Sequence, residues 1–104
     1  MRALLLMLGA LACTSVLADK DVPSQSQVDV CKDISGTATS VMQARQNGVP
    51  IVEMMDIAGD SELLRYIVMQ AYEGPRYSTE PHKKRAEVEF SNRMFLECAK
   101  YRKE

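Results

Sequence analysis

Apolar residues recur three and four positions apart along most of the chain, the spacing expected for one face of an α-helix. Alternating runs typical of strands, and internal repeats, are absent from the sequence. The pattern predicts an all-α domain of four helices: residues 26–47, residues 50–58, a third from a cap at Asp60 or Ser61 to residue 73, and a fourth from a cap at Ser78 or Thr79 to residue 101.

The inner face of each helix follows from the same spacing. We expect burial of Cys31, Ile34, Ala38, Val41 and Met42 in the first helix; of Ile51, Met54, Met55 and Ile57 in the second; of Leu63, Leu64, Ile67, Val68 and Ala71 in the third; and of Ala86, Phe90, Met94, Cys98 and Tyr101 in the fourth.

The helix ends are marked by residues that stop or cap helices. Ser26 is the expected N-cap of the first helix, and Asn47-Gly48 is its expected end. Pro50 suits the first turn of the second helix, and Gly74-Pro75 ends the third.

Residues 1–18 have the organisation of a secretory signal peptide: one positive charge at Arg2, a ten-residue apolar run, and Val16 and Ala18 placed for cleavage before Asp19. The alternative is a buried N-terminal helix. A second processing route, lipidation of Cys13 within Ala-Leu-Ala-Cys, would anchor the protein to a membrane. Residues 19–25 are expected to be a flexible segment, and residues 26–104 a single helical domain.

Removal of residues 1–18 leaves two cysteines, Cys31 and Cys98. In an exported protein such a pair predicts a disulfide, with free thiols as the alternative. Two cysteines and one histidine are too few ligands for a metal site, so we expect none. A bridge between the two cysteines requires the first and last helices to be antiparallel neighbours, and loop closure would stabilise the fold by on the order of 4 kcal/mol.

Composition limits the classes of function. The 104 residues suffice for one small domain, which excludes a two-domain enzyme. The chain has 13 basic and 14 acidic residues, a balance that argues against a dedicated nucleic-acid binder. Loss of Arg2 with the signal peptide changes the net charge from −1 to −2.

Turn and capping chemistry explains most of the polar residues in segments 43–50 and 72–79, but it leaves Arg45, Arg76 and Tyr77 unexplained. Arginine and tyrosine often anchor interfaces, so these three residues are candidates for a binding surface.

The densest basic run, Lys83-Lys84-Arg85, is a further candidate for that binding surface, as a site for anions or an acidic partner. The alternative is a solvated helix face neutralised by neighbouring glutamates. His82 is the only histidine and has no evident catalytic partner, so we expect no catalytic residues and no cofactor.

The segments MQARQNGVP…DIAG and AYEGPRYST, followed by a late cysteine, resemble an uncharacterised family of small exported proteins of proteobacteria and their prophages. The resemblance covers about Cys31 to Cys98 and implies no activity. The general plan is also similar to that of the acid-stress chaperones of the enteric periplasm, although their closer cysteine spacing is not matched.

These observations favour an exported, periplasmic interaction protein without enzymatic activity, whose partner is an unidentified envelope protein or a phage-lysis protein. A periplasmic acid-stress chaperone is the alternative, and native near-UV circular dichroism at pH 3 would exclude it. A small hydrolase using paired carboxylates is the third hypothesis.

Overall fold

The computed structural model describes residues 22–101. Within this range there are four α-helices and no strands: α1 (Gln25–Gln46), α2 (Ile51–Ala58), α3 (Glu62–Glu73) and α4 (Glu80–Tyr101). The all-α prediction is therefore confirmed. The predicted signal peptide, Cys13 and the start of the predicted flexible segment lie outside the described residues.

The long helices α1 and α4 are the framework of the domain. They pack antiparallel, because Cys31 near the start of α1 is bonded to Cys98 near the end of α4, with the two Cα atoms 5.6 Å apart. Towards the opposite ends, Gln43 donates a hydrogen bond to Glu87 at 3.3 Å. The predicted disulfide and the predicted helix arrangement are both confirmed.

The start of α1 corrects the predicted cap. Ser24, not Ser26, is the N-cap: its hydroxyl accepts a hydrogen bond from the Gln27 amide at 3.2 Å. The Ser24 backbone amide in turn donates a hydrogen bond to Oε1 of the Gln27 side chain at 2.9 Å, which completes a capping box. The prediction was wrong because Ser24 and Ser26 are both residues that favour the N-cap position. The helix therefore begins at Gln25, within the segment expected to be flexible.

The other helix ends agree with the sequence more closely. Asn47 caps the end of α1, and Gly48 follows with a φ of +86°, a left-handed conformation that glycine adopts without strain. Pro50 precedes α2 as its N-cap rather than lying inside it, and Ser61, one of the two expected caps, accepts a hydrogen bond from the Leu64 amide. At α4, the Thr79 carbonyl accepts from the Lys83 amide, which places Thr79 in the capping position.

The core lies where α1, α3 and α4 meet, with α2 covering one end. Its buried residues are Ala38, Val41, Met42, Ile67, Val68, Ala71, Phe90 and Met94. These all come from predicted inner faces. The short helix α2 adds three half-buried side chains, Ile51, Met54 and Met55. The core is therefore formed by α1, α3 and α4, and α2 packs against it from one end.

Three residues expected in the core are instead at the surface. Ile57 is 71%, Leu63 49% and Tyr101 83% exposed. Each lies at the edge of its helix's apolar face. The predictions were wrong because the neighbouring helices cover a narrower strip of each helix than its apolar pattern spans.

Candidate functional site

The loop between α3 and α4 is fastened to the end of α1 by the side chain of Gln46, which is 1% exposed. Its Nε2 donates to the Pro75 carbonyl at 3.0 Å and approaches Sδ of Met42 at 3.3 Å. Its Oε1 accepts from the Tyr77 amide at 2.8 Å, and its own carbonyl accepts from Nε of Arg76 at 3.1 Å. The two segments singled out in the sequence therefore bind each other.

Arg45 belongs to the same junction. Its Nη2 and Nε donate to the Gly74 carbonyl at 2.9 and 3.3 Å, and the guanidinium lies 5.1 Å from the centre of the Tyr72 ring. The Tyr72 hydroxyl donates to the Val49 carbonyl at 2.6 Å, and burial raises the pKa of this phenol above its ordinary value. Arg45 and Arg76 thus have an internal role in joining the loop to α1.

The remaining predicted surface residues are distributed around this loop. The ring of Tyr77 stacks on His82 with 5.8 Å between centroids, and the Thr79 hydroxyl is hydrogen-bonded to Nδ1 of His82 at 2.6 Å. Tyr77 also lines a groove between α3 and α4.

The basic run Lys83-Lys84-Arg85 lies in the first turns of α4. Lys83 lies 4.0 Å from Glu80 and Lys84 lies 3.8 Å from Glu87, while Arg85 is exposed. Two of its three charges therefore have a carboxylate neighbour on their own helix.

The groove between α3 and α4 is a concave feature of the described domain. Helix α4 packs chiefly on α1, whereas α3 packs on both α1 and α2, and α3 and α4 make few close contacts with each other. A cleft remains between them, and α1 forms part of its floor. Two separate hollows, of about 250 and 330 Å³, lie along it.

The first hollow lies beside the disulfide and is almost wholly apolar. Ile34, Ile67 and Met94 are among the residues that line it, together with the half-exposed Leu63. Cys98 contributes to the wall, so the bridge between α1 and α4 supports this end of the cleft.

Among residues 22–101, a single side-chain hydrogen bond crosses the cleft at this end. The Tyr66 hydroxyl on α3 donates to Oε1 of Glu97 on α4 at 2.7 Å. This hydrogen bond, followed by burial and the charge of Glu97, raises the pKa of the Tyr66 phenol above its ordinary value. Tyr66 and Glu97 therefore link α3 and α4 across this end of the cleft.

The second hollow lies next to the loop between α3 and α4, and its lining is partly apolar and partly polar. Met42, Ala86 and Phe90 supply its apolar surface. Glu73 on α3 and Glu89 on α4 stand on its two sides, and the described part of the chain places no cation in an ion pair with either. Arg93 also lines this hollow, and its guanidinium lies 5.2 Å from the centre of the Phe90 ring.

Sequence reasoning did not identify this cleft: it assigned most of the apolar lining residues to the core, and it did not single out Tyr66, Gln70, Glu73, Glu89, Arg93 and Glu97. The pattern that would have revealed them is a second stripe, one step beside the buried stripe on each helix. It runs through Leu63, Tyr66, Gln70 and Glu73 on α3 and through Glu89, Arg93, Glu97 and Tyr101 on α4. Only the relative placement of the two helices, which one sequence does not give, brings these stripes face to face.

No family model matches the sequence, and neither curated proteins nor solved structures include a match to it. Within residues 22–101 no group of three or more His, Cys, Asp or Glu side chains is arranged to hold a metal ion. Among the described helices none is both long and apolar enough to cross a membrane. The fold and site define a small disulfide-bonded helical domain with an open cleft between two helices.

Proposed function

We propose that this chain is an exported, non-enzymatic binding protein that holds a segment of an envelope protein in the cleft between α3 and α4. The observation that carries the proposal is the cleft itself, which pairs an apolar hollow with a hollow bordered by carboxylates. Concave apolar surfaces edged by a few polar groups are the usual form of a binding site.

Export is supported by two independent features. The sequence of residues 1–18 is typical of a signal peptide, and the disulfide between Cys31 and Cys98 fits a non-reducing compartment. The periplasm combines both conditions. A partner there would meet the oxidised domain, in which Cys98 helps to wall the apolar hollow.

The role of the cleft is tested by photo-crosslinking with a photoreactive amino acid placed at one position at a time. Leu63 and Gln70 are the cleft positions, and Val88, about half exposed on α4 and outside both hollows, is the control. We expect discrete adducts from Leu63 and Gln70 after irradiation in a bacterial envelope extract, and none from Val88.

A second substitution in the same chain shows whether the adducts depend on the cleft. Leu63→Glu, combined with the probe at Gln70, should remove the adduct, whereas Val88→Glu should leave it. Equal adducts from all three probe positions, or no adduct from either cleft position, would contradict the proposed function.

A further inference from the structure

The two hollows of the cleft differ in chemistry, and their separation is set by the helices that line them. On α3, the first hollow is lined from Leu63 to Ile67 and the second from Gln70 to Glu73. This offset of seven residues corresponds to about 10 Å along the helix axis. Side chains two turns apart on a bound helix are separated by the same distance.

The first hollow fits a bulky apolar side chain. Ile34, Leu63 and Met94 contribute to its lining, and the ring of Tyr66 lies at its edge. A leucine, methionine or phenylalanine inserted here would be removed from water, which favours binding.

The second hollow fits a long cationic side chain. Its floor includes Met42 and Phe90, against which an aliphatic stem can lie. Two carboxylates, Glu73 and Glu89, and one guanidinium, Arg93, line the same hollow, so it keeps a net negative charge. Three carboxylates and one guanidinium line the whole cleft, those of Glu73, Glu89, Glu97 and Arg93, so the cleft is negatively charged. Charge complementarity therefore favours a basic occupant over an acidic one.

From this arrangement we infer that the cleft binds a basic amphipathic helix, with an apolar residue in the hollow beside the disulfide and an arginine or lysine two turns away between Glu73 and Glu89. The inference rests on the proposed function, because it names the partner chemistry of that same cleft. It corresponds to helix-in-groove recognition, in which anchors spaced along one face of a helix enter separate pockets.

The test uses labelled synthetic helical peptides, so the natural partner need not be known. Two peptides share the same leucine stripe and background, and they differ at one position two turns from the central leucine, which is arginine in one and glutamate in the other. Fluorescence anisotropy with the oxidised protein should give at least about tenfold tighter binding of the arginine peptide, and this preference should weaken as salt is added.

Two charge-matched double variants locate the preference. Glu73→Gln with Glu89→Gln should bring the two peptides to within about twofold of each other. Glu53→Gln with Glu62→Gln removes two exposed carboxylates outside the cleft and should leave the tenfold preference intact. All four positions are exposed, so both double variants should retain the wild-type circular dichroism spectrum.

Equal affinity for the two peptides, or a preference that survives Glu73→Gln with Glu89→Gln, would overturn the inference. So would a dimer of this chain, detected by light scattering, that Leu63→Glu dissociates, because a second copy would then be the occupant. These results are separable from failure of the proposed function: crosslinks from Leu63 to an envelope protein would remain if only the charge preference were wrong.

Discussion

At the scale of single residues, Gln46 shows how one buried amide can organise a loop. Its side chain satisfies an amide and a carbonyl of the loop between α3 and α4, and its carbonyl receives Arg76. Among the described residues no buried side-chain nitrogen or oxygen lacks a hydrogen-bond partner. A buried polar side chain is costly unless it is hydrogen-bonded, so Gln46 stabilises the fold only because the loop supplies partners for both its Nε2 and its Oε1.

Gln46→Ala should lower the free energy of unfolding by about 2 kcal/mol, because it removes two loop hydrogen bonds and leaves a small cavity beside Met42. Urea unfolding followed by circular dichroism measures the change. Lys32→Ala, at an exposed position on the same helix, should stay within about 0.5 kcal/mol of wild type. Equal destabilisation by the two substitutions would show that the loop does not depend on Gln46.

Ionisation of the Tyr72 phenol should lower the free energy of unfolding at alkaline pH. Burial, partly offset by Arg45 and reinforced by Glu53, raises the pKa of its phenol in the folded protein, so the folded state holds this proton more tightly than the unfolded state. The stabilisation is fully present below the unfolded pKa of about 10 and is lost as pH rises through the folded pKa.

The matched comparison is Tyr72→Phe, which removes the proton and the hydrogen bond to the Val49 carbonyl. At pH 8 wild type should be more stable by about 1 kcal/mol, and the difference should shrink towards pH 11 because a phenolate cannot donate that bond. Urea unfolding across this range gives both values. A difference that stays constant with pH would contradict the assigned role of the hydroxyl.

At the scale of helices, the sequence pattern identified the helices better than the borders of their buried faces. The order, number and approximate ends of α1 to α4 followed from periodicity and from Gly48 and Gly74. Leu63 and Tyr101 were assigned to the core because their spacing matches the buried stripe, yet they border the cleft. Periodicity places a residue around its helix axis, but it does not say how close the next helix lies.

Glycines within α1 and just after it should respond oppositely to alanine. Gly36 lies inside the helix with nothing within 4 Å of an added Cβ, so Gly36→Ala should stabilise the protein by about 0.5–1 kcal/mol. At Gly48 the φ is +86° and an added Cβ would lie 2.9 Å from Nη2 of Arg76, so Gly48→Ala should destabilise by about 1 kcal/mol or more.

Thermal melts and urea titrations of the two glycine variants measure the signs directly. Both variants replace glycine by alanine, which has the higher helix propensity. Helix propensity alone therefore predicts no loss of stability at Gly48. Stabilisation by Gly48→Ala would show that the turn after α1 tolerates a side chain. Destabilisation by Gly36→Ala would show that this part of α1 is constrained by something other than its backbone.

At the scale of the whole molecule, the bridge between α1 and α4 compensates for a small core. The eight residues of the buried cluster come from three helices, and a domain of this size is expected to have only about 5–10 kcal/mol of stability in total. The sequence was sufficient to predict this bridge, because Cys31 and Cys98 both fall on apolar faces. It was insufficient to predict the cleft, which depends on how far apart α3 and α4 lie on α1.

Replacing both cysteines, as Cys31→Ser with Cys98→Ser, should lower the free energy of unfolding by on the order of 4 kcal/mol, because the unfolded chain regains the freedom that loop closure removed. Urea unfolding of this variant and of wild type, with and without reductant, measures the loss. Reductant should lower the midpoint of wild type alone. An unchanged midpoint in the variant would mean that helix packing holds the domain without the bridge.

The bridge also changes what a broken peptide bond does to this molecule. Between Cys31 and Cys98 the backbone and the sulfur–sulfur bond together form a closed ring that contains α2, α3 and both sides of the cleft. A protease that cuts once in the turns at Gly48 or Gly59 opens the ring but releases no fragment. The two pieces stay covalently joined beside the apolar hollow, and a second cut or a reductant is needed before any part of the domain can diffuse away.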